Sequence, residues 1–236
     1  MNKELIFGRN PIEEAIKVKR VLKVYISAGF SDRELLQLLS TNAIPKVVKS
    51  NEELNALSHG GVHQGIVAEV KPYEYVSLDY LLHECSKEKN PTLVILDGIN
   101  DPHNMGAVLR NCDIFGVKGV IISKHHQVPL NATVAKTSAG AINYVPVALV
   151  GNLNQTIKTL KDNGFWIVSA DGSGNTSYLE VKYDFPTALV IGAEGDGISS
   201  LVLKNSDYIV KIPMYGKVNS LNASVASGIL LAKIKE

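Results

Sequence analysis

From residue 92 to the end of the chain, short apolar, β-rich runs alternate with helical patterns, which leaves few architectures open. The runs fall at 93–96, 117–122, 144–150, 165–170, 188–191 and 208–212. Helical patterns lie between most of them, and a last helix is predicted over 220–235. The runs are apolar almost throughout, as expected of a mostly parallel sheet in an α/β fold with helices on both faces. Residues 1–73 repeat the mixture on a smaller scale. Asn10-Pro11-Ile12-Glu13 predicts a helix start, with a capping residue, a proline at the first helical position and a glutamate behind it. A strand follows over 21–27, then a helix over 31–39 with Leu35, Leu36 and Leu39 on one face. A strand over 46–48 leads to the capping box Ser50-Asn51-Glu52-Glu53, and a last strand runs over 65–70. Residues 74–90 are polar and read as a connector, with one helical turn possible at Tyr80-Leu81-Leu82. The expected organisation is a small α/β domain over 1–73, a linker over 74–90 and a larger domain over 91–236.

Charge excludes a protein that meets nucleic acid with its whole surface: Lys+Arg 24 against Asp+Glu 23 leaves +1. Any such site is a local patch. Residues 1–73 carry ten basic side chains against eight acidic, and the dense cluster there is Lys17-Val18-Lys19-Arg20 with Lys23. It suits either a solvated helix end, where cations favour the dipole, or contact with phosphates. No apolar run approaches the roughly 18 residues of a membrane span. The amino terminus lacks the basic-then-apolar layout of a signal peptide. Cys85 and Cys112 are too few for a disulfide framework or a four-cysteine zinc site, and no histidine sits at metal-ligand spacing. A cytoplasmic protein with no metal and no membrane segment is expected.

Three stretches follow strands of the larger unit, where open α/β sheets gather their sites. In the first, 97–112, a turn rich in Asp, Gly, Asn and Pro leads to Asn104, expected to cap a helix with Val108, Cys112 and Phe115 on its apolar face. Arg110 lies off that face and suits an anion contact or a surface pair with Asp113. Cys112 reads as core. In the second, 191–200, three glycines in six residues (Gly192, Gly195 and Gly197) allow a tight bend and close ligand approach. Gly195-x-Gly197-x-x-Ser200 falls short of the dinucleotide fingerprint, and no acidic residue follows about 20 positions on. A dehydrogenase is disfavoured. Glu194 could be a helix-start carboxylate. The third stretch, 212–228, predicts a helix capped by Ser220 or a neighbour, with Leu221, Val225, Ile229 and Ala232 as its apolar face. Its small residues Ser224, Ser227 and Gly228 suit close packing against another helix or subunit.

Together, Asn104-Met105-Gly106-Ala107-Val108-Leu109-Arg110-Asn111, Gly192-Ala193-Glu194-Gly195 and Ile212-Pro213-Met214 through Ser220-Leu221-Asn222-Ala223-Ser224-Val225-Ala226 resemble the SpoU (TrmH-like) branch of the SPOUT RNA 2′-O-methyltransferases. Phe7-Gly8-Arg9-Asn10-Pro11 and His63-Gln64-Gly65-Ile66 are similar to the substrate-binding domain of the same enzymes, a small ribosomal-protein-like fold. The resemblance implies a deep trefoil knot near the carboxyl terminus and S-adenosyl-L-methionine as cofactor. Gly192, Gly195, Ile212, Met214 and Leu221 would be the cofactor contacts. Arg110, Asn104, Glu194, Ser220 and Asn222 would be the catalytic set, and Arg9, Lys17, Lys19 and Arg20 would meet RNA. It further implies a homodimer and a guanosine of 23S ribosomal RNA as substrate. Transfer RNA, another ribosomal nucleotide and a non-catalytic RNA-binding or assembly protein are the alternatives; an intact Arg110 and intact cofactor loops argue against the last. Arginine keeps its proton at ordinary pH. Arg110 is therefore expected to hold a phosphate or the developing alkoxide, with Ser220 and Asn222 orienting the hydroxyl and Glu194 positioning Arg110 or Asn222. Residues 169–183 receive no role.

Overall fold

The computed structural model describes residues 3–218 and 220–236. They form two compact units, the first made of residues 1–74 with 129–144 and the second of 75–128 with 145–236.

The first unit begins with β1 (Glu4–Phe7), α1 (Arg9–Lys17), β2 (Val21–Ser27), α2 (Arg33–Thr41), β3 (Lys46–Lys49), α3 (Asn51–Leu57) and β4 (Ile66–Val70). Its sheet runs β1-β4-β2-β3, with β4 antiparallel to both neighbours and β2 parallel to β3. The Ser50–Glu53 capping box forms as predicted. Helix α1 starts earlier than expected. Gly8 is its cap and has no side chain to offer, so Gln64 Oε1 accepts the hydrogen bond from Arg9 N at 2.9 Å.

The second unit opens with α4 (Leu78–Cys85) inside the stretch expected to be a connector. Ser77 caps it, and Leu81 and Cys85 are fully packed, so this segment is part of a core and not a free tether. β5 (Thr92–Asp97), α5 (Pro102–Ile114) and β6 (Gly119–Ser123) follow. The chain then returns to the first unit with α6 (Ala132–Thr137) and a 3-10 turn at Ala141–Asn143. Val134, Ala135, Ala141 and Ile142 are buried there, α6 packs on β1, and Arg20 donates to Asn143 Oδ1 at 2.7 Å. The second unit resumes with β7 (Val147–Val150), α7 (Leu153–Asp162), β8 (Trp166–Ala170), β9 (Thr176–Ser177), β10 (Thr187–Gly192), α8 (Ser200–Lys204), β11 (Tyr208–Lys211) and α9 (Ala223–Ile234).

Its seven strands order as β7-β6-β5-β10-β8-β11-β9, and every pairing is parallel. Alternate residues of a strand face opposite sides. Leu93 and Ile95 join Ile121, Ile167 and Val190 in a core with Leu81 of α4, Leu153, Ile157 and Leu160 of α7, and Val202 of α8. Val94 and Leu96, equally buried, therefore face the other side, where α5 packs on β6 and α9 packs on α5 and β10. Burial on both faces is what the continuous apolar runs demanded.

Cys85 and Cys112 are both buried. Desolvation pushes the Cys85 thiol up to about 11 and the Cys112 thiol higher still. Both stay protonated at neutral pH and so are poor nucleophiles. A chromogenic disulfide reagent should titrate no thiol in the native protein at pH 8 and both once guanidinium unfolds it. Fast native labelling would contradict this packing.

Candidate active site

The carboxyl ends of β5, β10 and β11 carry the three motif stretches. At the first, Asp101 caps α5 by accepting from His103 N at 3.0 Å, with Pro102 at the first helical position. The cap is thus three residues before Asn104, correcting the expected boundary. An Asp-Pro pair satisfies the free N–H groups of the helix start. That leaves the Asn104 side chain, buried in the first turn, free to act elsewhere.

It does so with the other two stretches. Asn222 Nδ2 donates to Asn104 Oδ1 at 2.8 Å and also to Glu194 Oε1, while Asn104 Nδ2 donates to Glu194 Oε1 at 3.1 Å. Asn222, not Ser220, caps α9; its Oδ1 accepts from Ser224 N at 2.9 Å and Val225 N at 3.3 Å. One side chain therefore starts the last helix, ties it to α5 and holds the loop after β10. Glu194 receives two amide donors on one oxygen and, among the described residues, none on the other.

The loop after β10 is shaped by its backbone. Ala193 and Gly197 exchange hydrogen bonds at 3.2 and 3.0 Å, with Gly195 at the tip at φ +88°. A Cβ on Gly192 would lie 2.6 Å from Ile198 N and closer still to the Gly197 carbonyl, so only glycine fits. Asp97 Oδ2 accepts from Ser199 N at 2.8 Å and ties this loop to the end of β5. Ile212 and Leu221 are half-buried, and Met214 is 41% exposed.

Five predicted catalytic residues thus divide. Asn104, Glu194 and Asn222 form one hydrogen-bonded group. Arg110 and Ser220 are exposed and make no hydrogen bond to it among the described residues. At about 100° per residue, Arg110 projects roughly 120° around α5 from Asn104. The alternative surface pair of Arg110 with Asp113 is not among the ion pairs of the described residues. Sequence reasoning missed Asn111, seven residues after Asn104 and so on the same helix face. Its Nδ2 donates to Ser224 O at 2.8 Å and Ser227 Oγ at 2.9 Å, and Gly228 packs against it. These contacts turn the small-residue side of α9 toward α5. The predicted apolar face is corrected accordingly: Ala223, Ser227, Leu230 and Leu231 are buried, while Val225 is 48% exposed.

In the first unit, the predicted RNA contacts have partners of their own. Arg9 pairs with Asp32 at 2.6 Å, Glu34 at 2.7 Å and Glu13 at 3.3 Å. Lys17 pairs with Glu14 at 2.7 Å and Glu13 at 3.1 Å. Arg20 lies 3.5 Å over the centre of the Tyr73 ring. Lys19 is exposed, at φ +56°. No group of three or more potential metal ligands exists among the described residues, and no helix there is long and apolar enough to cross a membrane.

An all-parallel sheet with a side-chain network at its carboxyl edge has the layout in which open α/β sheets gather their sites. The family profile for the SpoU rRNA Methylase family matches residues 91–232, and that for RNA 2′-O ribose methyltransferase substrate binding matches residues 5–76. The chain belongs to the SpoU family of RNA methyltransferases. A protein assigned to the TrmH family of tRNA/rRNA methyltransferases in Staphylococcus saprophyticus is 41% identical, over 99% of this chain and 96% of its own. The SpoU methyltransferase AviRb of Streptomyces viridochromogenes, solved with the cofactor AdoMet, shares the fold at a TM-score of 0.84 and 23% identity, covering 99% of this chain and 89% of that one. The A. aeolicus TrmH/SpoU tRNA modifying enzyme is 32% identical, with a TM-score of 0.57 over 67% of this chain and 80% of that one.

Proposed function

We propose that this protein acts in the cytoplasm as a homodimer that transfers a methyl group from S-adenosylmethionine to the ribose 2′-hydroxyl of a guanosine in 23S ribosomal RNA. The observation that carries the reading is the closed group Asn104–Glu194–Asn222, which joins all three motif stretches at one sheet edge. What supports a cofactor there is the Gly192 cradle, which a side chain would fill, beside the half-buried Ile212 and Leu221 and the exposed Met214. Gly192, Gly195, Ile212 and Leu221 would hold the cofactor, with Met214 against its adenine. When bound, it supplies a methyl carbon already made electrophilic by the sulfonium.

The chain's own task is then alignment and charge. Holding two reactants in line lowers a barrier by roughly 7–11 kcal/mol in well-oriented systems. Asn222 and Asn104 fix Glu194, whose second oxygen is left to accept from a ribose hydroxyl. Ser220, on the loop that carries Asn222, adds a hydroxyl to that contact. Arg110 holds the RNA phosphate or the developing alkoxide, and the hydroxyl proton passes by way of the second Glu194 oxygen to solvent. The expected knot belongs to the same reading, supported by the return of α9 onto α5 and β10 after β11. The homodimer is supported by apolar side chains left exposed on α5 and α9: Ile114 at 64% and Val225 at 48%. For RNA, Lys19 is an exposed cation without an ion pair among the described residues, and Arg9 and Lys17 would meet phosphates only by exchanging the carboxylates that now hold them.

Incubation of 23S ribosomal RNA or total transfer RNA with the protein and methyl-labelled S-adenosylmethionine, followed by nuclease digestion and mass spectrometry, tests this. Labelled 2′-O-methylguanosine from 23S RNA is the expected product. Label confined to transfer RNA or to another nucleoside overturns the substrate, and label on a base overturns the chemistry.

A further inference from the structure

Asp171 stands directly after β8, in a stretch with no assigned role. Strand β8 lies between β10 and β11, the strands whose loops carry the cofactor positions. The register makes this exact to a residue: Ala170 is paired with Ile191 on one side and Val210 on the other. Asp171 therefore lies in the row of Gly192, and its N–H donates to Val210 O at 3.0 Å. Its carboxylate is divided. Oδ1 accepts from Ser173 N at 2.9 Å and from Ser173 Oγ at 2.6 Å. Oδ2 faces the loop after β10, 3.5 Å from where a Cβ on Gly197 would stand, and accepts no hydrogen bond among the described residues. A turn thus fixes one oxygen and presents the other, with the group's negative charge, between the two loops.

We infer that Asp171 is a cofactor-selecting residue whose charge favours the cationic methyl donor over the neutral product left after transfer. The inference rests on the proposed cofactor reading. Before transfer the donor carries a sulfonium and a net charge of +1; afterwards the thioether product is net neutral. An anion fixed at the cleft therefore discriminates between them by charge, retaining the donor and releasing the product. Glu194 also has one oxygen held, by Asn104 and Asn222, but its second oxygen is assigned above to the ribose hydroxyl.

The test is calorimetric titration of the wild-type protein and Asp171→Asn with S-adenosylmethionine, S-adenosylhomocysteine and sinefungin, whose amine restores the positive charge. Asparagine keeps the oxygen that Ser173 holds and removes only the charge. We expect about tenfold weaker binding of both cationic ligands, equivalent to 1.4 kcal/mol, and a change within about twofold for the neutral one. Equal losses for all three, or none, overturn the assignment. Should the variant not fold by circular dichroism, Asp171→Ser replaces it. In the wild type, raising potassium chloride from about 0.05 to about 0.5 M should erode the preference for donor over product; a preference indifferent to salt also overturns it. Wild-type protein that binds none of the ligands instead defeats the cofactor reading itself.

Discussion

Replacing Arg110 by alanine should lower methyl transfer by about 100- to 1,000-fold, the scale lost when a single charge-stabilising donor is removed from a reacting oxygen. Binding of S-adenosylmethionine should stay within about threefold, because the side chain is assigned to RNA and to the transition state and not to the cofactor. The structure makes this a clean experiment. Arg110 is exposed and forms no hydrogen bond or ion pair among the described residues, so folding stability should move by no more than about 0.5 kcal/mol. Arg110→Lys should fail nearly as badly, since lysine keeps the charge but loses the planar fork of donors that grips a phosphate or an oxyanion. Single-turnover transfer to RNA, read beside cofactor titration, separates the two effects. Near-normal turnover in either variant removes Arg110 from the chemistry.

The strands that bury both faces were legible in the sequence, because β5, β6 and β10 carry apolar runs and β8 is interrupted only by Ser169. Of the residues that the three motifs singled out as catalytic, Asn104, Glu194 and Asn222 meet in the structure, while Arg110 and Ser220 make no hydrogen bond to them among the described residues. Their arrangement was not legible. Asn104, Glu194 and Asn222 are 90, 118 and 28 residues apart in their pairings, and no local rule connects them. Helix α9 shows why periodicity fell short there. Apolar residues surround it, so the stripe that faces inward was decided by a polar neighbour, Asn111, reaching Ser224 and Ser227. The segment 129–144 had the same problem: its buried residues pack with β1 and α1, which lie more than a hundred positions earlier. Asp171 went unremarked because a lone aspartate before a glycine reads as turn chemistry. Only the strand order puts it between two loops of the candidate site.

Gly192→Ala should be a severely damaging conservative change in the larger unit. The added methyl has nowhere to go. The atoms in its way are the Gly197 carbonyl and Ile198 N, backbone held by the Ala193–Gly197 hydrogen bonds, and not the end of a flexible side chain. Overpacking of this kind costs about 1–3 kcal/mol, and the strain falls on the loop that carries Glu194. Displacing that loop breaks the contacts of Glu194 to Asn104 and Asn222 together, so cofactor affinity and turnover should collapse in one step, each by about 100-fold or more. Gly164→Ala, in the turn before β8 and outside the site, is the internal control. Its added Cβ meets nothing within 4 Å, so the only penalty is the positive φ of +83°, of order 1 kcal/mol. The decisive measurement is cofactor affinity for both variants at a temperature where circular dichroism shows them folded. If Gly192→Ala binds S-adenosylmethionine as tightly as the wild type, the close approach of the two backbones is not what shapes the cofactor site, and the loops after β5 and β11 must hold the ligand without it.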